Sequence, residues 1–162
     1  MNYLSKEEYE LETGKHIREA HWQSAAQRWE YHEKAVEILK SIVGSPTILE
    51  AGTMGVKLCK FSDTIDLDIP PYWPLYYIPT YNHNLSVLPW PIREKQYDVF
   101  VALRVFHRFS PGYLHEMFRI SNHIILALTT STVDGYKAIR KPTQEIVCND
   151  TIVLYWELEN MR

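Results

Sequence analysis

Cysteine is scarce in this chain of 162 residues: Cys59 and Cys148 are the only two, far apart and in no metal-ligand spacing. That excludes a disulfide-stapled framework and a cysteine-ligated zinc centre, and the pair reads as two reduced thiols. No uninterrupted apolar run reaches membrane-spanning length, and the opening MNYLSKEEYELETGK is too acidic and polar for a secretory signal. A cytoplasmic protein with no membrane partner is expected. Positive charge is not in excess. With 17 Lys and Arg against 20 Asp and Glu the formal net charge is −3, so nucleic acid is not the favoured partner, although totals do not reveal a local patch such as Arg104, Arg108 and Arg119. Also missing are a Gly-x-Ser-x-Gly elbow, a phosphate loop ending in Gly-Lys-Ser or Gly-Lys-Thr, and a zinc pattern. Hydrolase, nucleotide triphosphatase and metalloenzyme chemistry are therefore set aside, and no metal site is expected. There is no internal repeat, low-complexity tract or interdomain linker.

What is present is ordinary globular chemistry, with 46% hydrophobic and 23% charged residues. The length suits one domain, expected as a helical amino-terminal cap over residues 1–44 and an α/β core over 45–162. Ser5 to Val43 reads as helix from the capping box Ser5-Lys6-Glu7-Glu8, broken at Gly14, with Ala25, Trp29, Ala35, Val36, Leu39 and Ile42 forming an apolar stripe before Gly44-Ser45-Pro46. Packing is the expected role of Trp22, Trp29 and Tyr31, with a pocket lining as the alternative. Strands are expected at Thr47 to Ala51, Thr64 to Asp68, Val99 to Ala102 and Asn122 to Leu128. Gln144 to Cys148 and Thr151 to Leu158 form a hairpin about Asn149-Asp150. Gly55 to Phe61 is expected as a short crossover helix. The prolines Pro70, Pro71, Pro74 and Pro79 shorten or replace the next one. Ser110-Pro111 opens a further helix, whereas Thr129 to Thr143, with Gly135 and Pro142, reads as loop.

The run TILEAGTMGVKLCKFSDTIDLDI, Thr47 to Ile69, carries the functional signal. Two short strands ending in acids, joined across a glycine turn, form the adenosine-binding half-site of an open α/β sheet. Gly52 lets backbone approach a ligand, and an acid at the end of the second strand can accept from both ribose hydroxyls. A dehydrogenase shares that acid, but Gly52-Thr53-Met54-Gly55 does not supply a Gly-x-Gly-x-x-Gly turn. Further on stand Leu88-Pro89-Trp90-Pro91, Tyr97-Asp98, the strand Val99-Phe100-Val101-Ala102, and Val105-Phe106-His107. Taken with Leu49-Glu50-Ala51-Gly52 and Leu67-Asp68-Ile69-Pro70, residues 47 to 130 resemble the class I S-adenosylmethionine-dependent methyltransferases, especially the small-molecule type.

That resemblance implies a Rossmann-like sheet, mostly parallel, with an antiparallel carboxyl-terminal hairpin strand and shortened crossover helices. It also implies S-adenosylmethionine as cofactor. Glu50, Gly52, Thr53, Met54 and Gly55 are then the loop beneath the methionine part and the ribose, with Met54 and Val56 standing where the family has glycines. Asp68 is the ribose acid. Asp66 is the fallback, since alternation along the strand is expected to turn it to the other face. Asn84 and Leu85 meet the adenine, Leu103 and Arg104 face the methionine end, and Arg104 can reach a carboxylate or an acidic substrate. His107 is the general base, against the plainer reading of a helix residue beside the pocket. The other histidines, His16, His21, His32, His83, His115 and His123, are expected at the surface or satisfied. No Asn-Pro-Pro-Tyr segment follows the fourth strand, where Ala102-Leu103-Arg104-Val105 stands. A small-molecule substrate is therefore expected, with a protein partner as the other possibility. The competing reading is a degenerate methyltransferase fold kept as a non-catalytic binding or partner module, with Tyr72, Trp73, Tyr76 and Tyr77 as its exposed aromatic patch; the same aromatics would serve an enzyme as a substrate lid.

Overall fold

The first helix, α1 (Lys6–Lys15), begins where the Ser5 side chain accepts from the Glu8 N–H at 3.1 Å, so the capping residue does what its position in the sequence suggests. This computed structural model describes residues 2–16, 20–69 and 75–158. The helical stretch divides into two pieces as expected, with the break one residue beyond Gly14: α1 ends at Lys15, capped at His16. A short 3-10 turn at Ala20–Ser24 leads into α2 (Ala25–Ser41), and Gly44 at φ 88° turns the chain toward the sheet.

Seven strands follow: β1 (Ile48–Ala51), β2 (Asp63–Asp66), β3 (Tyr81–Asn82), β4 (Tyr97–Leu103), β5 (Ser121–Thr129), β6 (Gln144–Cys148) and β7 (Thr151–Glu157). They form one sheet in the order β3-β2-β1-β4-β5-β7-β6, parallel from β3 through β5, with β7 antiparallel to both of its neighbours. The expected mostly parallel Rossmann-like sheet with an antiparallel carboxyl-terminal hairpin is the fold observed. Every residue of β1 is buried, as a parallel strand covered on both faces requires. Alternate residues then feed two cores. Leu49, Phe100, Ile124, Leu126 and Leu154 pack on one face with Trp90, Phe106, Met117 and Tyr136. Ile48, Val99, Ile125 and Val153 pack on the other with Tyr9, Trp22, Ala35 and Leu39. Helices α1 and α2 thus cover one face, and α3 (Leu114–Ile120) and α4 (Val133–Ile139) the other.

Three sequence expectations are corrected. No helix joins β1 to β2. Residues 55–61 instead run beside the amino terminus, where Tyr3 bridges Cys59, the Leu4 N–H donates to the Leu58 carbonyl at 2.8 Å, and the Lys60 N–H to the Asn2 carbonyl at 2.9 Å. Backbone groups satisfied there have no need of helical partners. Conversely, a helix does form between β5 and β6. α4 passes through Gly135, whose missing side chain admits Pro111: a Cβ would lie 2.7 Å from Pro111 Cγ. The buried hydroxyl of Tyr136 donates to the Phe106 carbonyl and ties this helix to the 3-10 turn that follows β4. Finally, β2 stops at Asp66, two residues before the expected end. Pro70, Pro71 and Pro74, with Tyr72 and Trp73, lie outside the described residues.

Candidate active site

The carboxyl ends of β1, β2 and β4 open into a cleft of about 710 Å³, a size suited to a small ligand. It lies where the connections leave β1 and β4 in opposite directions, the point at which open α/β sheets bind ligands. Its floor is the turn after β1. Gly52 has φ 61°, and a Cβ there would sit 2.5 Å from Val105 Cγ2, so backbone and valine are in contact only because the side chain is missing. Met54 is also left-handed at φ 51°; its side chain lines the cleft and its carbonyl accepts from the Trp22 indole at 2.7 Å. Thr53 and Gly55 do not line the cleft. The Thr53 hydroxyl accepts from the Gly55 N–H at 3.3 Å, and Gly55, at φ 87°, packs against His16.

Glu50 is buried with its carboxylate committed elsewhere. It accepts from the Leu58 N–H at 2.9 and 3.0 Å and from the Cys59 N–H at 3.2 Å, holding the segment that replaces the crossover helix. Burial raises its pKa, and those backbone donors pull against the rise. Glu50 and Thr53 line a separate recess of about 20 Å³, which shares His21, Gly52 and Leu103 with the cleft.

Of the two acids beyond β1, Asp66 lines the cleft and Asp68 does not. Asp66 accepts from the Tyr77 hydroxyl and from the Leu67 N–H; burial raises its pKa, and both donors work in the opposite direction. Asp68 is turned to the loop, with its carboxylate accepting from the Leu75 N–H at 3.1 Å and its own N–H donating to Asn82 Oδ1 at 2.9 Å. Residues two apart share one face of a strand that runs through both, so alternation does not separate these acids; the early end of β2 does. Asn84 is exposed and closes its own turn by accepting from the Ser86 N–H and hydroxyl, whereas Leu85 is buried and lines the cleft.

After β4, Leu103, Arg104, Val105 and His107 all line the cleft. Arg104 has φ 61°, donates to the Thr151 hydroxyl at 2.8 Å and lies 3.7 Å from Asp150. Arg104 Nε and His107 Nδ1 are buried without a hydrogen-bond partner among the described residues. Burial lowers the pKa of His107, and the guanidinium groups of Arg104, Arg108 and Arg28 lower it further, against a hydrogen bond with the Arg104 backbone that works to raise it. Burial and these charges favour the neutral imidazole, whose lone pair is free to accept a proton but with weakened basicity.

Sequence reasoning missed several residues here. Arg28 reaches the cleft from α2 and His21 from the turn before it. Burial, then Arg28, His32 and Arg104, push the His21 pKa down to about 3, so His21 is a cleft residue and not one of the uninvolved histidines. Arg28 had a signal in the sequence, since it stands in the stripe Ala25, Trp29, Ala35, Val36, Leu39 as a polar interruption. Tyr76 and Tyr77 line the cleft, while Trp22 and Tyr31 are buried and Trp29 packs beside them in the core beneath α1 and α2. Among the described residues no group of three or more His, Cys, Asp or Glu could hold a metal ion, and no helix is long and apolar enough to cross a membrane.

No protein-family model matches the chain, and no curated protein matches it. Its fold does match solved structures. The 16S rRNA methylase RmtB aligns over 97% of this chain and 76% of its own, with a TM-score of 0.56 and 8% identity. A ribosomal protein L11 methylase from Lactobacillus delbrueckii subsp. bulgaricus aligns over 82% of this chain and 80% of its own, with a TM-score of 0.57 and 12% identity. The magnesium protoporphyrin IX methyltransferase of Synechocystis PCC 6803, solved with bound SAM, aligns over 83% of this chain and 81% of its own, with a TM-score of 0.53 and 11% identity. An rRNA methylase among these neighbours overturns the expectation that nucleic acid is not a favoured partner. The physical reason is that a net charge of −3 describes the whole chain, while the cleft itself carries Arg28, Arg104 and Arg108. From strand order through the glycine turn to the placement of the cleft, this chain has the class I S-adenosylmethionine-dependent methyltransferase fold.

Proposed function

We propose that the chain binds S-adenosylmethionine in the cleft and transfers its methyl group to a small-molecule acceptor. The observation that carries this is Asp66: one carboxylate at the end of β2, in a cleft whose floor is the Gly52 turn. Asp66 would accept from the ribose hydroxyls as the Tyr77 hydroxyl gives way, with Leu85 against the adenine and the backbone at Gly52 beneath the ribose. Met54, Leu103 and Arg104 would border the methionine part. Glu50, Thr53 and Gly55 would shape the loop from behind, and Asp68 and Asn84 would fix the connections on either side of β3.

Bound there, the cofactor supplies an electrophilic methyl group on a sulfonium. That group would be open to an acceptor's lone pair, with the sulfur leaving as a neutral thioether, and the neutral imidazole of His107 would take the proton the acceptor gives up. Burial, with the charges of Arg104, Arg108 and Arg28, disfavours the protonated form of His107, and the three arginines would orient the acceptor. The whole chain, 1–162, would act as a single domain, with residues 1–44 capping the 45–162 core. A cytoplasmic location suits the two buried free thiols.

A second reading, a non-catalytic binding module, draws on the Met54 side chain in the cleft and on the hydroxyl already paired with Asp66. Release of S-adenosylhomocysteine from S-adenosylmethionine, measured across panels of small molecules, proteins and RNA, decides between them. Turnover with a small molecule that falls at least tenfold in His107→Ala supports transfer. A folded protein that binds the cofactor but turns over no acceptor supports the module, and turnover confined to RNA or protein overturns the small-molecule assignment.

A further inference from the structure

Three guanidinium groups converge on one end of the cleft. Arg28 comes from α2, and Arg104 and Arg108 from the segment after β4. All three act electrostatically on His107, and Arg28 and Arg104 act together on His21, so the five side chains are neighbours. Among the described residues their charge is poorly compensated. Arg104 is 3.7 Å from Asp150, whose side chain is 82% exposed. Arg28 spends its donors on neutral oxygens, the Ser24 hydroxyl at 2.9 Å and the Tyr31 hydroxyl at 3.0 Å. Neither Arg28 nor Arg108 pairs with a carboxylate among the described residues. The carboxylate that lines the cleft among the described residues, Asp66, stands at the end of β2 and accepts a hydrogen bond from Tyr77. Two polar atoms at the arginine end, Arg104 Nε and His107 Nδ1, are buried without partners among the described residues.

Positive charge gathered at one end of a cleft, with Arg28 and Arg104 half-buried and Arg108 exposed at its rim, favours the entry of something negative, and guanidinium groups suit the planar oxygens of carboxylates and phosphates. We propose that this end of the cleft is the acceptor subsite, and that it takes a small organic anion, a carboxylate or a phosphate ester, held by Arg28 and Arg108 beside His107. The assignment of the anion as methyl acceptor rests on the methyl-transfer reading above. An anionic group so held sets the acceptor's nucleophile against the neutral imidazole, and it balances the positive sulfonium that would lie next to the arginines.

The test is calorimetric titration of the full chain with benzoate and, separately, with inorganic phosphate, each with and without saturating S-adenosylhomocysteine. Wild-type protein is compared with Arg28→Ala, Arg108→Ala and Arg28→Lys, and circular dichroism checks that each variant is folded. The expected result is saturable binding of one or both anions in the S-adenosylhomocysteine complex. That binding weakens roughly tenfold or more in each alanine variant and is partly restored by lysine, as loss of a charge-assisted bond implies. S-adenosylhomocysteine affinity stays unchanged across the set. Saturation by benzoate alone or by phosphate alone identifies the anion class. Absence of saturation by either anion overturns the proposal. A parallel loss of S-adenosylhomocysteine affinity also overturns it, because the arginines would then hold the cofactor's own carboxylate. Tighter binding of a short single-stranded RNA through the same arginines overturns it in favour of a polyanion. Anion binding in a protein that does not bind S-adenosylhomocysteine refutes the methyl-transfer reading, and with it the acceptor assignment, while leaving an anion site.

Discussion

Replacing Gly52 by alanine tests whether the turn after β1 is packed as tightly as it looks. The new methyl carbon would lie 2.5 Å from Val105 Cγ2 and 3.4 Å from Val105 Cγ1, where carbon atoms prefer about 3.5–4.0 Å. Relief must come from Val105, whose branched side chain is stiff and packs on the buried cluster of Phe100, Phe106 and Leu114. Two costs add. A left-handed conformation at φ 61° costs an alanine about 1–2 kcal/mol more than a glycine, and forcing a methyl into filled space costs about 1–3 kcal/mol. Gly52→Ala should therefore lose about 2–5 kcal/mol in urea denaturation. Val105→Ala removes the obstacle but not the backbone strain. In that background the same replacement should cost only about 1–2 kcal/mol, giving a coupling of at least about 1 kcal/mol. Equal costs in both backgrounds, or a loss below about 0.5 kcal/mol in wild type, would refute the packing argument.

Acid should destabilise the protein through His32. Burial holds its pKa down to about 4, so below the ordinary value of about 6.5 the unfolded chain binds the proton that the native state refuses. Stability then falls by about 3 kcal/mol as pH drops from about 6.5 to 4. His21 acts in the same sense, and Glu50 and Asp66, with carboxyl pKa values raised by burial, act against it at the acid end. Stability measured against pH should have a shallower slope in His32→Gln, and an unchanged slope contradicts the assignment. Glu50→Ala leaves the buried N–H groups of Leu58 and Cys59 without their acceptor, and at about 1–3 kcal/mol each thermal unfolding should show one of the larger losses in the molecule; a loss under about 1 kcal/mol would mean water replaces the carboxylate. Gly135→Ala gains about 1 kcal/mol of helix propensity but meets Pro111 at 2.7 Å, so denaturation should show no net gain, whereas clear stabilisation would show that α4 is loosely seated.

The parts of the fold legible in the sequence are those settled within a few residues. Strands β4 and β5 carry the apolar runs Val99–Leu103 and Ile124–Leu128, the β6–β7 hairpin turns at Asn149-Asp150, and the Ser5 cap is decided by Glu8. What was not legible depends on partners far along the chain. The segment 55–61 is held out of a helix by Asn2, Leu4 and Glu50, none of which a local helix pattern can register. α4 tolerates Gly135 because Pro111, from a different connection, fills the space. In the cleft, Gly52, Met54, Leu85, Leu103, Arg104 and His107 come together as positions after strand ends suggest. Asp66 and Asp68 exchange places because β2 stops where the Asp66 carbonyl accepts from the His83 N–H and Asn82 takes the Asp68 N–H, a decision made by β3. Arg28 arrives from a helix whose stripe otherwise reads as core.

The central claim is that the cleft at the ends of β1, β2 and β4 holds S-adenosylmethionine through Asp66. Calorimetric titration of the purified chain with S-adenosylhomocysteine, in wild type, Asp66→Ala and Asp68→Ala, addresses it directly. The account predicts saturable one-to-one binding in wild type, loss of affinity of roughly tenfold or more in Asp66→Ala, as loss of hydrogen bonds to a charged group implies, and a much smaller change in Asp68→Ala. A folded wild-type protein that does not bind, or a set in which Asp68→Ala abolishes binding while Asp66→Ala does not, would contradict it.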